Sequence, residues 1–249
     1  MLAIIGGSGL TRLSTLAIAH REVVRTPYGE PSSALVYGRI MEHDVVFLAR
    51  HGHGHTIPPH RVNYRANLWA LKERGVDAVL AVASVGAIAG GHAPGALVLP
   101  HQIIDYSGGR ESTFFDGGDR NVVHVDFTHP YTPALRQRCL AAAHRARLAL
   151  HDGGVYAAVS GPRLETAAEI DRLDRDGATL VGMTGMPETV LAREAGLAYA
   201  SIAVVVNHAA GRGDSAEAIA MERIAGVLEQ AMEKVRKLID HFVTEPTTS

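Results

Sequence analysis

The chain of 249 residues holds a single cysteine, Cys139, so it has neither an intramolecular disulfide framework nor a cysteine-built zinc cluster. That scarcity fits a reducing compartment. No run reaches the roughly 18 uninterrupted apolar residues that a membrane-spanning helix needs. The start, Met1-Leu2-Ala3-Ile4-Ile5-Gly6-Gly7, lacks the basic and long apolar regions of a secretory leader, so the expected location is the cytoplasm, with no membrane partner. An excess of one charge is missing too. With 24 Lys and Arg against 26 Asp and Glu the formal net charge is -2, which offers no basic field to a polyanion and disfavours nucleic acid as a partner. Low-complexity tracts are absent, and 47% hydrophobic with 20% charged residues is the balance of an ordinary globular protein with a packed core.

What the sequence does contain is alternation. Apolar runs predict strands over 3–5, 45–49, 77–85, 96–100, 155–159, 179–183 and 199–206. Helical spacing covers 64–74, 133–150, 166–176, 188–195 and 216–242, the last as one long amphipathic helix. Strands that alternate with helices along the whole chain predict one α/β domain over 1–243, with helices on both sides of a central sheet, and a polar tail over 244–249. The glycine-rich polar stretch 107–119 reads as a long surface loop. Unusual segments follow the predicted strands at Ser8, Arg50, Ser84, Ser160, Met183 and Asn207, which places them together on one rim.

Each of these segments has a functional reading and a plain one. Gly6-Gly7-Ser8-Gly9 resembles a phosphate cradle, because glycines permit close approach and free amides with a hydroxyl donate hydrogen bonds; a tight turn would look the same. Arg50-His51-Gly52-His53-Gly54-His55, with His60 nearby, invites a metal-site reading. An Arg-His pair at a strand end also suits an oxyanion, with a planar guanidinium fork and the imidazole as a second donor, and a turn of solvated histidines is the third reading. In Ser160-Gly161-Pro162-Arg163-Leu164-Glu165-Thr166, Thr166 is a candidate helix cap and Glu165 a candidate acceptor for a ring N–H. Thr184 is a hydroxyl in a turn, Met183 is more often a core residue than a contact, and Asn207 ends a buried strand where it either forms a turn or reads a purine edge.

Taken in order, Gly6-Gly7-Ser8-Gly9, Arg50-His51-Gly52, the segment from Ile57 through Pro58-Pro59-His60-Arg61 to Asn67, Gly161-Pro162-Arg163, and Gly182-Met183-Thr184 with Pro187-Glu188 resemble the purine-nucleoside and 5'-methylthioadenosine phosphorylase family over nearly the whole chain. The resemblance implies a central mixed, largely parallel β-sheet, a homotrimer, and reversible phosphorolysis with no metal, no cofactor and no covalent intermediate, inorganic phosphate being a co-substrate. It implies that Ser8, Arg50, His51 and Thr184 hold phosphate, helped by the Ala83-Ser84 turn. Met183 then lies against the sugar, Leu164 and Glu165 with Asn207, His208 and Ala209 surround the base, and His124 is lent to a neighbouring site. Asn207 is the candidate group at purine N7.

Two features bear on the substrate. The methylthioadenosine branch that the chain resembles carries aspartates where Asn207 and Ala209 stand here. An asparagine can donate to O6 and accept from N7–H, and Glu165 can accept from the N1–H that hypoxanthine and guanine have and adenine lacks, so both argue for a 6-oxopurine. At the 5' end Ile219, Met221 and Ile224 offer apolar contacts that favour a thioether over a hydroxyl, unless they simply face the core. Together these give 5'-methylthioinosine as the expected substrate. A general inosine and guanosine phosphorylase, a methylthioadenosine phosphorylase, a metal-dependent hydrolase on the histidine cluster and a non-catalytic nucleoside binder are the alternatives.

Overall fold

The computed structural model describes residues 1–10, 13–89, 91–117 and 121–244. The end of the expected loop at 118–119 and the tail beyond Thr244 lie outside the described residues. The strands are β1 (Leu2–Gly6), β2 (Ala17–Glu22), β3 (Leu35–Ile40), β4 (His43–Ala49), β5 (Ala78–Ala87), β6 (Leu97–Leu99), β7 (Gln102–Asp105), β8 (Leu150–Asp152), β9 (Val155–Ala158), β10 (Leu180–Gly182) and β11 (Ala198–His208). The helices are α1 (Tyr64–Glu73), α2 (Pro133–Arg145), α3 (Ala167–Arg175), α4 (Gly185–Glu194) and α5 (Met221–Val243).

One mixed sheet joins all the strands, in the order β2-β3-β4-β1-β5-β10-β9-β7, with β11 on the other side of β5 and β6 and β8 beyond it. Its central pairs, β4 with β1, β1 with β5 and β5 with β11, are parallel, as crossover helices on both faces require. Alternate residues of β1 and β5 go to opposite faces. Ile4, Leu80 and Val82 pack towards α2 and α5, with Leu135, Cys139, Val235 and Ile239. Ala3, Ile5, Val79 and Ala81 pack towards α1 and α4, with Leu68, Leu71 and Leu191. This period of two places an apolar layer on each side of the strands that carry the site.

The expected elements return with four additions and shifted boundaries, the largest shifts at two helices. β2, β3, β7 and β8 were not expected, because β2 reads Ala-Ile-Ala-His-Arg-Glu on an exposed edge, β3 is interrupted by Gly38, and β7 and β8 are four and three residues long. The helix expected over 133–150 ends at Arg145, since Arg147 takes a φ of 52° and Leu148 N–H closes on the Ala143 carbonyl. The helix expected from 216 starts at Met221. A 3-10 turn at Gly213–Ser215, with Ser215 N–H donating to Arg212 C=O and Gly211 N–H to Ser215 C=O, commits the chain before the helical pattern can begin.

The path of β5 creates the site. Its first half pairs with β1 through Ala81, whereas Gly86 and Ala87 pair with β10 on that same side. Between the two pairings, Ala83, Ser84 and Val85 have lost one neighbour and not yet gained the next.

Candidate active site

A cavity of about 480 Å³ fills that gap, a size usual for small-molecule sites. It is lined by the turn after β1 (Gly7, Ser8), the residues after β4 (Arg50, His51), the middle of β5 (Ala83, Ser84), Leu164 and Glu165 before α3, Met183 and Thr184 between β10 and α4, Asn207 near the end of β11, and Met221, Ile224 and Leu228 of α5.

Arg50 is the deepest of them, 1% exposed. Its Nε and Nη2 donate to the two carboxylate oxygens of Glu188 at 2.6 and 2.7 Å, and Nη1 donates to the Val82 carbonyl at 2.8 Å. Glu188 is fully buried and also accepts from the Tyr199 hydroxyl at 2.7 Å. A guanidinium has five N–H donors, so the three bonds leave one on each terminal nitrogen for a ligand. Glu188 already balances the charge; what Arg50 can offer an anion is two rigidly aimed donors. Gly7 makes room for this, because a Cβ there would stand 2.8 Å from Nη1 and 2.6 Å from the Val82 carbonyl.

Around Arg50 lie further donors. The Ser84 hydroxyl is buried with no hydrogen-bond partner among the described residues, a costly state for a polar group unless a ligand completes it. Thr184 is nearly buried at the entry to α4, and the Ser8 hydroxyl stands 3.4 Å from His55 Nε2. His51 differs from its expected role. Its Nδ1 lies 2.8 Å from the Ile57 carbonyl, which can only accept, so Nδ1 carries the proton. Burial first, then the adjacent Arg50 charge, push its pKa down to about 4. The neutral ring therefore presents an acceptor at Nε2, where the sequence suggested a second donor.

Glu165 and Asn207 line the same cavity. Burial raises the Glu165 carboxyl above the usual carboxylate range, with the Glu169 carboxylate adding to the effect. Thr166 is also a cap: its hydroxyl accepts from Glu169 N–H at 3.1 Å while Glu169 accepts from Thr166 N–H at 2.8 Å. The two readings of this segment are thus compatible, since the cap fixes the start of α3 and leaves Glu165 at the cavity. Asn207 donates from Nδ2 to the His208 carbonyl at 2.6 Å, which leaves one N–H and the side-chain oxygen for a ligand.

Four of the expected residues lie elsewhere. His208 accepts from Asp214 N–H at 3.3 Å, so its ring serves the turn after β11. Ala209 is buried one layer behind the cavity with Ile88, Ile170 and Val181. Ile219 precedes the helix, outside the lining, and Leu228 stands where helical spacing from Met221 and Ile224 leads. His124 is exposed and away from this cavity. Of the histidine cluster, His51 and His55 are adjacent, with ring centroids 4.7 Å apart. Among the described residues no group of three or more His, Cys, Asp or Glu is arranged to hold a metal ion.

Three contributors were not singled out from sequence. Glu188 was quoted only as a landmark, Leu228 is one turn beyond the residues considered, and Arg110 lies in the polar loop. Arg110 donates to the carbonyls of Met183, Met186 and Ser160 at 2.7, 2.6 and 2.8 Å, tying the loop to the floor of the site. Met183 is also held by Gly161, which has a φ of 63° and whose added Cβ would lie 2.4 Å from the Met183 sulfur. Gly161→Ala is expected to cost about 1–2 kcal/mol of stability through the left-handed backbone alone and to displace Met183. A denaturation midpoint and a KM both equal to those of the parent would contradict this.

These features can be set beside known proteins. Residues 1–244 match the sequence profile described as the phosphorylase superfamily. A Pseudomonas syringae pv. tomato protein named a probable S-methyl-5'-thioinosine phosphorylase is 51% identical over 94% of each chain. The 6-oxopurine nucleoside phosphorylase of Pyrococcus furiosus is 42% identical, over 96% of this chain and 90% of its own. Among solved structures, methylthioadenosine phosphorylase from Schistosoma mansoni in complex with adenine superposes with a TM-score of 0.92 at 33% identity, covering 97% of this chain and 90% of that one. The strand-end cavity, its buried arginine and the match along nearly the whole length agree: the chain belongs to the phosphorylase superfamily.

Proposed function

We propose that the protein catalyses the reversible phosphorolysis of S-methyl-5'-thioinosine, a pentosyl transfer that gives hypoxanthine and 5-methylthioribose 1-phosphate and serves purine and methylthioadenosine salvage. The observation that carries this is one cavity lined both by Ser8, Arg50, Ser84 and Thr184 and by Glu165 and Asn207. The first set suits a tetrahedral oxyanion, and the second suits the N1–H and the O6 and N7 edge of a 6-oxopurine.

In the reaction a phosphate oxygen bonds to C1', the C1'–N9 bond breaks, and its electron pair goes to the base, which takes up the proton released by phosphate. The sugar gains oxocarbenium character as the bond stretches. Phosphate below the ring and Asn207 at the departing base stabilise the two poles. His51 completes the phosphate site, and Met183 packs against the sugar. Phosphate is the co-substrate, and no other cofactor is invoked. A homotrimer, with His124 reaching the site of a neighbouring subunit, would give that exposed residue its place.

The apolar wall of Met221, Ile224 and Leu228 supports a 5'-methylthio group. Leu228→Asn is expected to lower the preference for methylthioinosine over inosine by about tenfold, the scale of losing a few apolar contacts. An unchanged ratio of kcat/KM values would remove the wall from the account. Met221 is 59% exposed, and this openness favours general 6-oxopurine phosphorolysis as a second reading. Base release from methylthioinosine, methylthioadenosine, inosine and guanosine, each with and without phosphate, separates the readings. Phosphate-dependent release chiefly from methylthioinosine is expected. Preference for inosine would favour the second reading, and release without phosphate would remove the mechanism.

A further inference from the structure

A feature of the phosphate end is that it contains a fixed acceptor among its donors. Ser8, Ser84 and Thr184 carry hydroxyls that can turn to donate or accept. The His51 ring cannot turn in this way, because Nδ1–H is committed to the Ile57 carbonyl at 2.8 Å. Nε2, on the opposite side of the ring, keeps its lone pair, and His51 lines the cavity next to Arg50. The Arg50 guanidinium and the His55 ring, the charged and titratable groups that act on His51 here, both oppose a second proton on it. The positive charge of Arg50 is itself matched by Glu188, so this end does not attract anions by net charge alone.

The geometry points to His51 Nε2 as the group that reads a proton on the incoming oxyanion, making the site selective for hydrogen phosphate and hydrogen arsenate over unprotonated anions of the same shape such as sulfate. A P–OH meets the lone pair as a hydrogen bond. A sulfate oxygen in that position sets two lone pairs against each other, and the acceptor of a ring only 5% exposed is left unpaired under the bound anion. No bond is made or broken at His51. The inference rests on the assignment of this end of the cavity to phosphate.

Titration calorimetry of the intact protein without nucleoside, at mildly alkaline pH where phosphate and arsenate each keep one proton and sulfate keeps none, measures the three affinities. Phosphate and arsenate are expected to bind alike and sulfate at least about tenfold more weakly, the scale of one unpaired buried polar group. In His51→Gln, whose amide can donate as well as accept, the gap is expected to close. Sulfate bound as tightly as arsenate by the parent protein would overturn the inference while leaving the phosphate site in place; so would a gap unchanged in the variant. Failure of all three anions to bind would overturn the phosphate site and the inference with it. Long-range proton–nitrogen NMR of the parent protein is an independent check: the Nδ1–H form of His51 supports the inference, and a proton on Nε2 refutes it.

Discussion

Glu188→Ala is expected to destabilise the protein by about 3–5 kcal/mol, the usual result of stripping the partner from a buried charge, and to abolish phosphate-dependent turnover. Both effects come from Arg50. With Glu188 gone, a guanidinium that is 1% exposed keeps only its bond to the Val82 carbonyl, and the Tyr199 hydroxyl loses its acceptor as well. The charge then has to recruit water or swing away from Gly7 and the cavity. Glu188→Gln retains one acceptor, so it is expected to fold better than the alanine variant and still use phosphate poorly. Arg50→Met with Glu188→Leu separates the two effects, since apolar replacement of both partners removes the unpaired charge. That double variant is expected to recover most of the denaturation midpoint and none of the activity. If Glu188→Ala kept the parent midpoint and phosphate KM, the carboxylate would not be what holds Arg50.

The way Arg50 is held explains what could be read in advance. The sequence marks strand ends well, because buried central strands are short apolar runs that stop at glycine or a polar residue, as at Gly6 after Ile5 and at Arg50 after Ala49. It marks edges poorly, because β2 is exposed and charged and has no apolar pattern to detect. It also carries little information about partners distant along the chain. Arg50 and Glu188 are 138 residues apart, and nothing local to either says that they meet. Arg110 in its polar loop is equally silent, although it donates to four carbonyls at the site, those of Met183, Met186, Val159 and Ser160. At the end of β11, strand alternation alone could not separate Asn207 from Ala209. Asn207 is still within the strand, whereas Ala209 lies just past its end at His208, where Arg212 N–H closes a turn on the Ala209 carbonyl, so Asn207 lines the cavity and Ala209 packs with Ile88, Ile170 and Val181.

Base selectivity turns on Glu165 and Asn207, and exchanging their chemistry is expected to move it by orders of magnitude. Glu165→Ala removes the acceptor for N1–H and should lower kcat/KM for methylthioinosine by roughly 10²–10³-fold, since losing a contact to a charged group at a sheltered site costs several kcal/mol. Methylthioadenosine has no N1–H to lose, so its rate should change little, and the preference between the two should narrow by the same factor. Asn207→Asp acts from the other side: an aspartate accepts from an exocyclic amine and, once protonated, donates to N7, so the amino-purine gains where the oxopurine loses a donor to O6. Because Ala209 sits behind the cavity wall, Asn207→Asp alone is the informative exchange, and a carboxyl added at Ala209 would start among Ile88, Ile170 and Val181. The pH profile gives a second readout. Burial raises the Glu165 carboxyl, so acidification should weaken methylthioinosine binding at a higher pH than an ordinary carboxylate would, as the acceptor is protonated. N1–H stabilises the ionised form, so the acid limb should lie at higher pH in kcat/KM, which reports the free enzyme, than in kcat, which reports the complex. It should disappear in Glu165→Gln. An acid limb that persists in that variant, or a methylthioinosine preference that survives both Glu165→Ala and Asn207→Asp, would place the reading of the base in other residues of the cavity.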